Sequence, residues 1–453
     1  MKIRIRYSFA VQCFLVAFVL FPNLVSIRVG GMPSLTLPRL LLVACYLWIL
    51  LDLRLQREFL HVIRNNVYNL PIAIFLSVCL YTAILCRDVN SFFGFFVDSV
   101  LVYYVLVHAL RKCLSIDDLS RLVSICMYVM CIIGVIEFVT GVNVLSLISI
   151  GEGSEIASTF RDSTLRVRGP YGHPLGYAMV LLLLFPVSCY SRAERSVSLF
   201  RHKALFVLVF MNVMFTGSRS GIGLFCIEVL VICLFTSRKY RSGTILASAA
   251  SALTLVVCAL LFAENSLVQY VLRQLFYVVD QVLGTDIALR YGGDASILNS
   301  SIARDRIWKI PFDPSLSPWI GKGVSYQTGA YRVDGWLVTS IDNYYIRTYI
   351  SYGIFGVIAV LLLFAAFVRA NIRRVFDEDK AYVVCLASGL LYAANLVVVD
   401  ELATLRYFFI VLAISGVVVA EARAQSQVRS PVQSGVHESR AAEKYPVHTE
   451  IPR

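Results

Sequence analysis

Long apolar runs separated by short polar gaps dominate the chain up to about residue 420. A helix that crosses a bilayer needs roughly 20 mostly apolar residues, so this pattern predicts about twelve membrane-spanning helices. The runs lie at residues 9–25, 40–53, 70–85, 92–110, 122–139, 175–189, 204–215, 222–235, 245–262, 350–368, 381–399 and 407–420. The predicted fold is therefore an all-α polytopic membrane protein, with a single integral membrane domain over residues 1–420.

Lysine and arginine concentrate in alternate gaps between these runs. When the spans are numbered from a cytoplasmic start, every predicted inner gap is rich in basic residues, as the positive-inside rule requires. We therefore expect both termini to be cytoplasmic and two long loops, at about 140–174 and 264–345, to be periplasmic. The N-terminal segment resembles a signal peptide without a clear cleavage site, so it is interpreted as the first span.

Composition restricts the function classes further. Of the 453 residues, 58% are hydrophobic and 15% are charged, whereas roughly a quarter of the residues in soluble proteins are charged. The net charge of +12 follows from the basic inner gaps and does not predict a nucleic-acid partner. Because the long loops contain no cysteine and the chain no CxxC pair, neither a disulfide framework nor a zinc site is predicted.

Two further segments have distinct patterns. The second loop contains apolar residues at helical spacing, which predict an amphipathic helix that lies on the membrane or caps a cavity. These residues are Val268, Val271, Leu272, Leu275, Val279, Val282 and Leu283. Residues 421–453 are rich in Ser, Gln, Ala, Arg and Pro, and we expect them to form a disordered cytoplasmic tail.

Two motifs with arginines lie on the predicted outer side. Residues 166–174 (RVRGPYGHP) lead into the sixth span, and residues 216–221 (TGSRSG) form the turn between the seventh and eighth. Arg219 breaks the positive-inside pattern, and charged groups at membrane depth usually face a cavity or a partner. Glycine and serine around it suit a phosphate-binding nest. The alternatives are a snorkelling Arg219, a solvated Arg168 and a His173 that only caps a helix.

The third motif, residues 340–356 (SIDNYYIRTYISYGIFG), leads into the tenth span. Asp342 or Asn343 there is either a helix N-cap or a group with a chemical role. Three other features have plain interpretations as well. Residues 304–308 (RDRIW) form a basic, aromatic surface for an anionic or sugar ligand, or an ordinary helix face. Glu137 is interpreted as interfacial, and the DxD pattern at 377–379 as a solvated charge run.

Together these motifs resemble the bacterial O-antigen ligase/polymerase superfamily, the Wzy and WaaL-type integral membrane glycosyltransferases. The matching segments are residues 168–174, 218–221, 306–308, 318–323, 342–346 and 352–356. The resemblance covers about residues 133–368 at the level of motifs. It implies an inverting, metal-independent and cofactor-free glycosyltransferase of GT-C-like architecture in the bacterial inner membrane. The implied donor is a glycan linked to undecaprenyl diphosphate, and the implied active site is periplasmic.

The resemblance also implies roles for individual residues. Arg168 and Arg219 would meet the charge of the departing diphosphate, because arginine is planar, permanently charged and bidentate toward phosphate. Asp342 would act as the base for the acceptor hydroxyl. The expected substrate-binding residues are Arg166, His173, Ser218, Ser220, Arg304, Arg306, Trp308, Asn343 and Tyr344.

One departure from the family pattern favours a particular function. Many ligases have histidine at the position of Asp342, and the surroundings here are rich in tyrosine. This favours a polysaccharide repeat-unit polymerase over an O-antigen ligase that acts on lipid A-core. A twelve-span transporter is the alternative from another class, although the two halves of the chain are dissimilar. Expected partners are the lipid bilayer, the lipid-linked donor, a glycan acceptor, and assembly proteins such as a flippase and a chain-length regulator.

Overall fold

The computed structural model describes residues 2–22, 26–27, 34–147, 159–161, 164–262, 264–291, 307–326, 331–333, 336–338 and 341–442. Most of these residues are helical. In chain order the helices are α1 (Lys2–Leu20), α2 (Leu37–Leu51), α3 (Leu53–Arg64), α4 (Asn69–Leu85), α5 (Asn90–Phe95), α6 (Val102–Lys112), α7 (Ile116–Thr140), α8 (Pro174–Ser188), α9 (Lys203–Phe215), α10 (Arg219–Phe235), α11 (Arg238–Leu261), α12 (Ser266–Leu283), α13 (Tyr344–Ile372), α14 (Ala381–Asn395) and α15 (Leu405–Ala442). A π-helical turn, Phe96–Leu101, joins α5 to α6.

Strands are few and short in this part of the chain. They form two-stranded antiparallel hairpins between helices: β1 (Ser26–Ile27) with β2 (Leu35–Thr36), β3 (Thr159–Arg161) with β4 (Thr164–Arg166), β5 (Tyr190–Ser191) with β6 (Ser196–Val197), and β7 (Tyr331–Val333) with β8 (Trp336–Val338). The all-α fold class predicted from the sequence is therefore confirmed.

Several helices are long and apolar enough to cross a membrane. Among the described residues, four meet this criterion alone, and α3 with α4 makes a fifth if that pair, bent by 89°, is one span. The four are Asn90–Lys112, Ile116–Thr140, Tyr344–Ile372 and Leu405–Ser426. Every predicted apolar run overlaps a helix. A membrane protein with several apolar helices is thus confirmed, whereas the count of about twelve spans and the GT-C-like architecture stay predictions.

Helix α8 lies at the centre of the bundle. Every one of its residues except Leu175 is buried, and it packs against α7, α10 and α14. A helix that is apolar all round is stable only when it is surrounded by protein or lipid. The motif at residues 166–174 is therefore anchored directly to the most enclosed helix.

Helix α13 is broken at Gly353, where the backbone is left-handed with φ +67°. Its freed backbone groups bond to the loop at residues 318–323: Lys322 N donates to Ile350 O at 2.7 Å, and Ile354 N donates to Pro318 O at 2.8 Å. A Cβ on Gly353 would lie 2.5 Å from the Trp319 backbone, so only glycine fits. The long loop is thus fixed against the outer end of α13.

The last helix runs into the segment for which a cytoplasmic tail is predicted. Helix α15 continues to Ala442, while residues 443–453 lie outside the described part. The disordered cytoplasmic tail at 421–453 stays a prediction.

The sidedness of the loops can be tested by labelling. A cysteine at Asp286, exposed after α12, is expected to react with an impermeant thiol reagent in intact spheroplasts. A cysteine at Arg241, equally exposed near the start of α11, should react only after lysis, because basic gaps are cytoplasmic. Labelling of the unmodified chain gives the background from its own cysteines. Reversed labelling would contradict the periplasmic assignment of the site.

Candidate functional site

The two arginine motifs of the predicted outer face lie against each other. Arg166 Nε donates to Thr216 O at 2.8 Å, and Val167 N donates to Phe215 O at 3.0 Å. Gly217 has φ +60°, and a Cβ there would lie 3.4 Å from Arg166 Nε. The structure therefore joins two segments, fifty residues apart in sequence, into one arginine-bearing site.

The second motif forms the beginning of α10. Ser218 is the N-cap, and its Oγ accepts a hydrogen bond from Gly221 N at 3.1 Å. Arg219 and Ser220, both half-buried, therefore occupy the first turn of the helix. The first backbone N–H groups of a helix and the positive end of its dipole favour an anion at such a position.

The predicted amphipathic stretch of the long loop is helix α12, and it packs onto this site. Tyr270 Oη donates to Met214 O at 3.0 Å, just before the TGSRSG motif. Further along α12, Val278 lies 3.4 Å from the position of a Cβ on Gly223. The helix therefore covers one side of the arginine-bearing turn.

A buried glutamate holds the first motif in place. Glu137, at the end of α7, accepts hydrogen bonds from Gly169 N at 2.9 Å and from Asn143 Nδ2 at 2.9 Å. Asn143 Nδ2 also donates to Gly169 O at 2.6 Å. Glu137 is fully buried within the protein, while its position at the membrane interface stays a prediction. The sequence offered only a weak signal, a carboxylate in the last turn of a predicted span.

The Arg168 side chain is almost entirely buried, with 3% of its surface exposed. Its Nε and Nη2 have no hydrogen-bond partner among the residues that the structure describes. Nη1 makes only a long contact of 3.5 Å with Gly172 O. Burial lowers the pKa of this guanidinium, and the charge of Glu137 opposes that shift. Unpaired buried donors are costly, and two on one guanidinium form a fork that fits a phosphate or carboxylate.

His173 links the first motif to the third. Its Nδ1 accepts a hydrogen bond from Leu175 N at 3.2 Å, so it caps α8, as one of the two interpretations expected. Burial and the charges of Arg166 and Arg168 lower the pKa of the ring, whereas the charge of Asp342 acts in the opposite direction. The ring thus lies within electrostatic reach of both arginines and of Asp342.

In the third motif, the helix cap is Asn343 and not Asp342. Asn343 Oδ1 accepts a hydrogen bond from Ile346 N at 3.0 Å, and its Nδ2 donates to Val397 O at 2.7 Å. Tyr344 N donates to Leu396 O at 2.9 Å. Asn343 and Tyr344 are buried while Asp342 is half-buried. The capping alternative for Asp342 is therefore removed.

The remaining predicted ligand residues come from the segment at 304–308. Arg304 and Arg306 lie outside the described residues. Trp308 is exposed over 54% of its surface. Its neighbour Ile307 packs in a small cluster with Ile341 and Ile346, which docks this segment beside the start of α13. Their roles in substrate binding stay predictions.

One residue of the DxD pattern at 377–379 contacts the β5–β6 hairpin, away from the arginine motifs. Asp379 accepts a hydrogen bond from Tyr190 Oη at 2.7 Å and pairs with Arg192 of the β5–β6 hairpin. Its neighbours Asp377 and Glu378 are exposed. The interpretation as a solvated charge run therefore holds for two of the three residues, and Asp379 ties the hairpin to the start of α14.

Comparison with known proteins adds an independent finding. A family model described as O-antigen ligase matches residues 204–361, a stretch that includes the TGSRSG turn, helix α12 and the third motif. A search of curated proteins found no match. The match over residues 204–361 confirms that this chain carries a domain of the O-antigen ligase/polymerase superfamily.

Proposed function

We propose that this protein is a polysaccharide repeat-unit polymerase of the O-antigen or exopolysaccharide type. It transfers a glycan from an undecaprenyl-diphosphate-linked donor to a glycan acceptor at the periplasmic face of the bacterial inner membrane. The observation that carries the proposal is the buried Arg168, whose guanidinium keeps two nitrogens without a protein partner beside Arg166 and the first turn of α10. Such a group of donors suits a diphosphate.

On the donor side, the arginines stabilise the departing diphosphate. Its negative charge grows as the glycosidic bond breaks, and preorganised donors in a water-poor site stabilise that charge strongly. Arg168 binds one phosphate through its unpaired nitrogens, and Arg219 lies at the anion-favouring end of α10. Ser218 and Ser220 complete this turn. These cations provide the charge that a metal ion supplies in other glycosyltransferases, so the proposed reaction needs no cofactor.

On the acceptor side, Asp342 is the proposed base. The acceptor hydroxyl oxygen forms a bond to the anomeric carbon of the donor while its proton passes to the Asp342 carboxylate. The bond from that carbon to the diphosphate oxygen breaks, and its electron pair leaves with undecaprenyl diphosphate. Attack from the opposite side inverts the anomeric configuration. Asn343, Tyr344, His173, Trp308, Arg304 and Arg306 are the proposed substrate contacts around this step.

The second candidate is an O-antigen ligase that transfers the glycan to lipid A-core. The description of the matching family favours it, while the aspartate at position 342 favours the polymerase. The family match and the grouping of arginines at one face support a transferase over a transporter.

Deletion of the gene separates these functions. For a polymerase, the deletion strain is expected to accumulate single lipid-linked repeat units and to lack polymer. For a ligase, full-length polymer should remain attached to undecaprenyl diphosphate. Electrophoresis of the surface glycan and mass spectrometry of the extracted lipids measure both. A glycan profile identical to that of the parent strain would contradict either transferase.

A further inference from the structure

A cavity opens beside the third motif, between the α5–α6 turn, the outer end of α13 and the loop at 400–404. Its volume is about 270 Å³. Polar and aromatic side chains alternate on its wall, among them Asp98, Tyr344, Arg347, Tyr352, Glu401 and Arg406. This volume lies near the lower limit for pockets that bind small molecules, roughly 300–1,000 Å³.

The backbone around this cavity is irregular on three sides. The turn at Phe96–Leu101 is π-helical, and α13 is broken at Gly353. On the third side, Leu402 and Ala403 are consecutive non-glycine residues in the left-handed region, with φ +47° and +59°. Non-glycine residues rarely adopt this conformation, and π-helical turns and such residues concentrate at functional sites. Their meeting at one cavity points to a role in binding.

The charges on the wall nearly cancel. Asp98 is paired with Arg39 at 2.6 Å. Asp400 and Glu401 line the wall together with Arg347 and Arg406. The arginine site described above offers an excess of positive charge, whereas this cavity offers none. A neutral ligand therefore fits here better than a second phosphate group.

Two buried polar atoms of the wall have no hydrogen-bond partner among the described residues. They are Thr348 Oγ1 and Arg406 Nε, and Thr348 is only 2% exposed. Buried polar groups without partners are costly, so a ligand rich in hydroxyl groups would stabilise this wall.

The cavity adjoins the proposed active site. Tyr344 belongs to the third motif and lines the cavity. The charge of Asp342 acts on Asp400 as well as on His173. The loop at 400–404 also packs on α8 directly after the first motif, since Leu402 Cβ lies 3.4 Å from the position of a Cβ on Gly176. A molecule in the cavity is therefore next to the groups assigned to the transfer.

We propose that this cavity binds the acceptor saccharide, with the Glu401 carboxyl and Thr348 Oγ1 hydrogen-bonded to its hydroxyl groups. Sugar hydroxyls both donate and accept, which suits a carboxylate beside a threonine and two guanidinium groups. The apolar faces of sugar rings pack well on aromatic rings, and Phe75, Phe95 and Tyr352 supply such rings on the wall. This assignment rests on the proposed transferase function, because it names the second substrate of that site.

Two probes test the assignment in the full-length protein reconstituted in nanodiscs. The first is undecaprenyl diphosphate, which reports on the arginine site. The second is the repeat-unit oligosaccharide, released by mild acid from lipid-linked precursors of the same cells and followed by saturation-transfer NMR. Glu401→Gln is expected to weaken oligosaccharide binding by a factor of ten or more and to leave undecaprenyl diphosphate binding unchanged.

A steric variant guards against misfolding of Glu401→Gln. Gly94 lines the cavity, and a Cβ there would meet no atom within 4 Å. Gly94→Trp is therefore expected to place its indole in the cavity and to abolish oligosaccharide binding. Gly243→Trp is the matched control, because Gly243 has equally open surroundings in α11 and does not line this cavity.

The outcomes distinguish the two proposals. Oligosaccharide binding that survives both Glu401→Gln and Gly94→Trp, or that the wild-type protein lacks, overturns the acceptor site and leaves the donor site standing. Undecaprenyl diphosphate binding that is absent, or indifferent to Arg168→Ala, overturns the proposed function, even where the cavity still binds the oligosaccharide.

Discussion

Arg168→Lys is expected to reduce the rate of polymer formation about 10²- to 10³-fold, the usual effect of removing one preorganised donor from a site of developing charge. The guanidinium is buried, and its Nε and Nη2 have no hydrogen-bond partner among the described residues. An ammonium carries the same charge but cannot donate two parallel hydrogen bonds to one phosphate. The Glu137 and Asn143 contacts fix the backbone at Gly169, so the shorter reach of a single nitrogen cannot be compensated by a movement of the loop.

The measurement is transfer from extracted lipid-linked repeat units by the purified protein. Arg369→Lys is the matched control, because Arg369 is exposed in the last turn of α13, which the positive-inside rule places on the cytoplasmic side. Its activity should equal that of the wild type. EDTA is expected to leave turnover of the wild type unchanged. Near-normal activity of Arg168→Lys, or loss of activity in EDTA with recovery on adding a divalent ion, would contradict the arginine-based mechanism.

The positions of the helices could be predicted because the signal for an apolar helix is local. The same holds for α12, whose apolar residues repeat with the helical period. The break in α13 could not be predicted in this way. The sequence shows glycines at 321 and 353, but what requires them is the contact of two backbones brought together by folding, with 2.5 Å between a Cβ on Gly353 and Trp319.

Residues of the candidate site could be predicted where they belong to a short sequence motif. They could not be predicted where their role depends on a partner that is distant in the sequence. Arg168 stands out among glycine and proline residues. Glu137 does not, because its partner Gly169 lies 32 residues further along the chain. The sequence also left the cap of α13 open between Asp342 and Asn343, and only the contact of Asn343 Oδ1 with Ile346 N decides it. In the sequence, Glu401 is one of several polar residues after a predicted span. Only the structure shows that it lines a cavity.

Substitutions at the start of α13 can distinguish the structural role of Asn343 from the proposed chemical role of Asp342. Asn343→Ala removes a cap and a hydrogen bond to Val397 O, so it should lower the free energy of unfolding by about 0.5–2 kcal/mol. Thermal unfolding in detergent measures this loss. If Asn343→Ala only removes the cap, the fraction of the variant that remains folded should still bind undecaprenyl diphosphate. This variant is the structural reference for changes at the adjacent aspartate.

Asp342→Asn is expected to lower the rate of transfer by roughly 10² to 10⁴, the usual contribution of a general base. The substitution keeps the size of the side chain and removes its charge. Because Asn343 and not Asp342 caps α13, the variant should unfold at the wild-type temperature and reach normal levels in the membrane. It should also bind undecaprenyl diphosphate normally, since the diphosphate contacts are assigned to arginines. Transfer by purified Asp342→Asn at a rate within a few-fold of the wild type would show that the proton of the acceptor goes elsewhere. The neighbouring carboxyl of Glu401 would then be the next group to replace, because the charge of Asp342 already reaches Asp400 beside it.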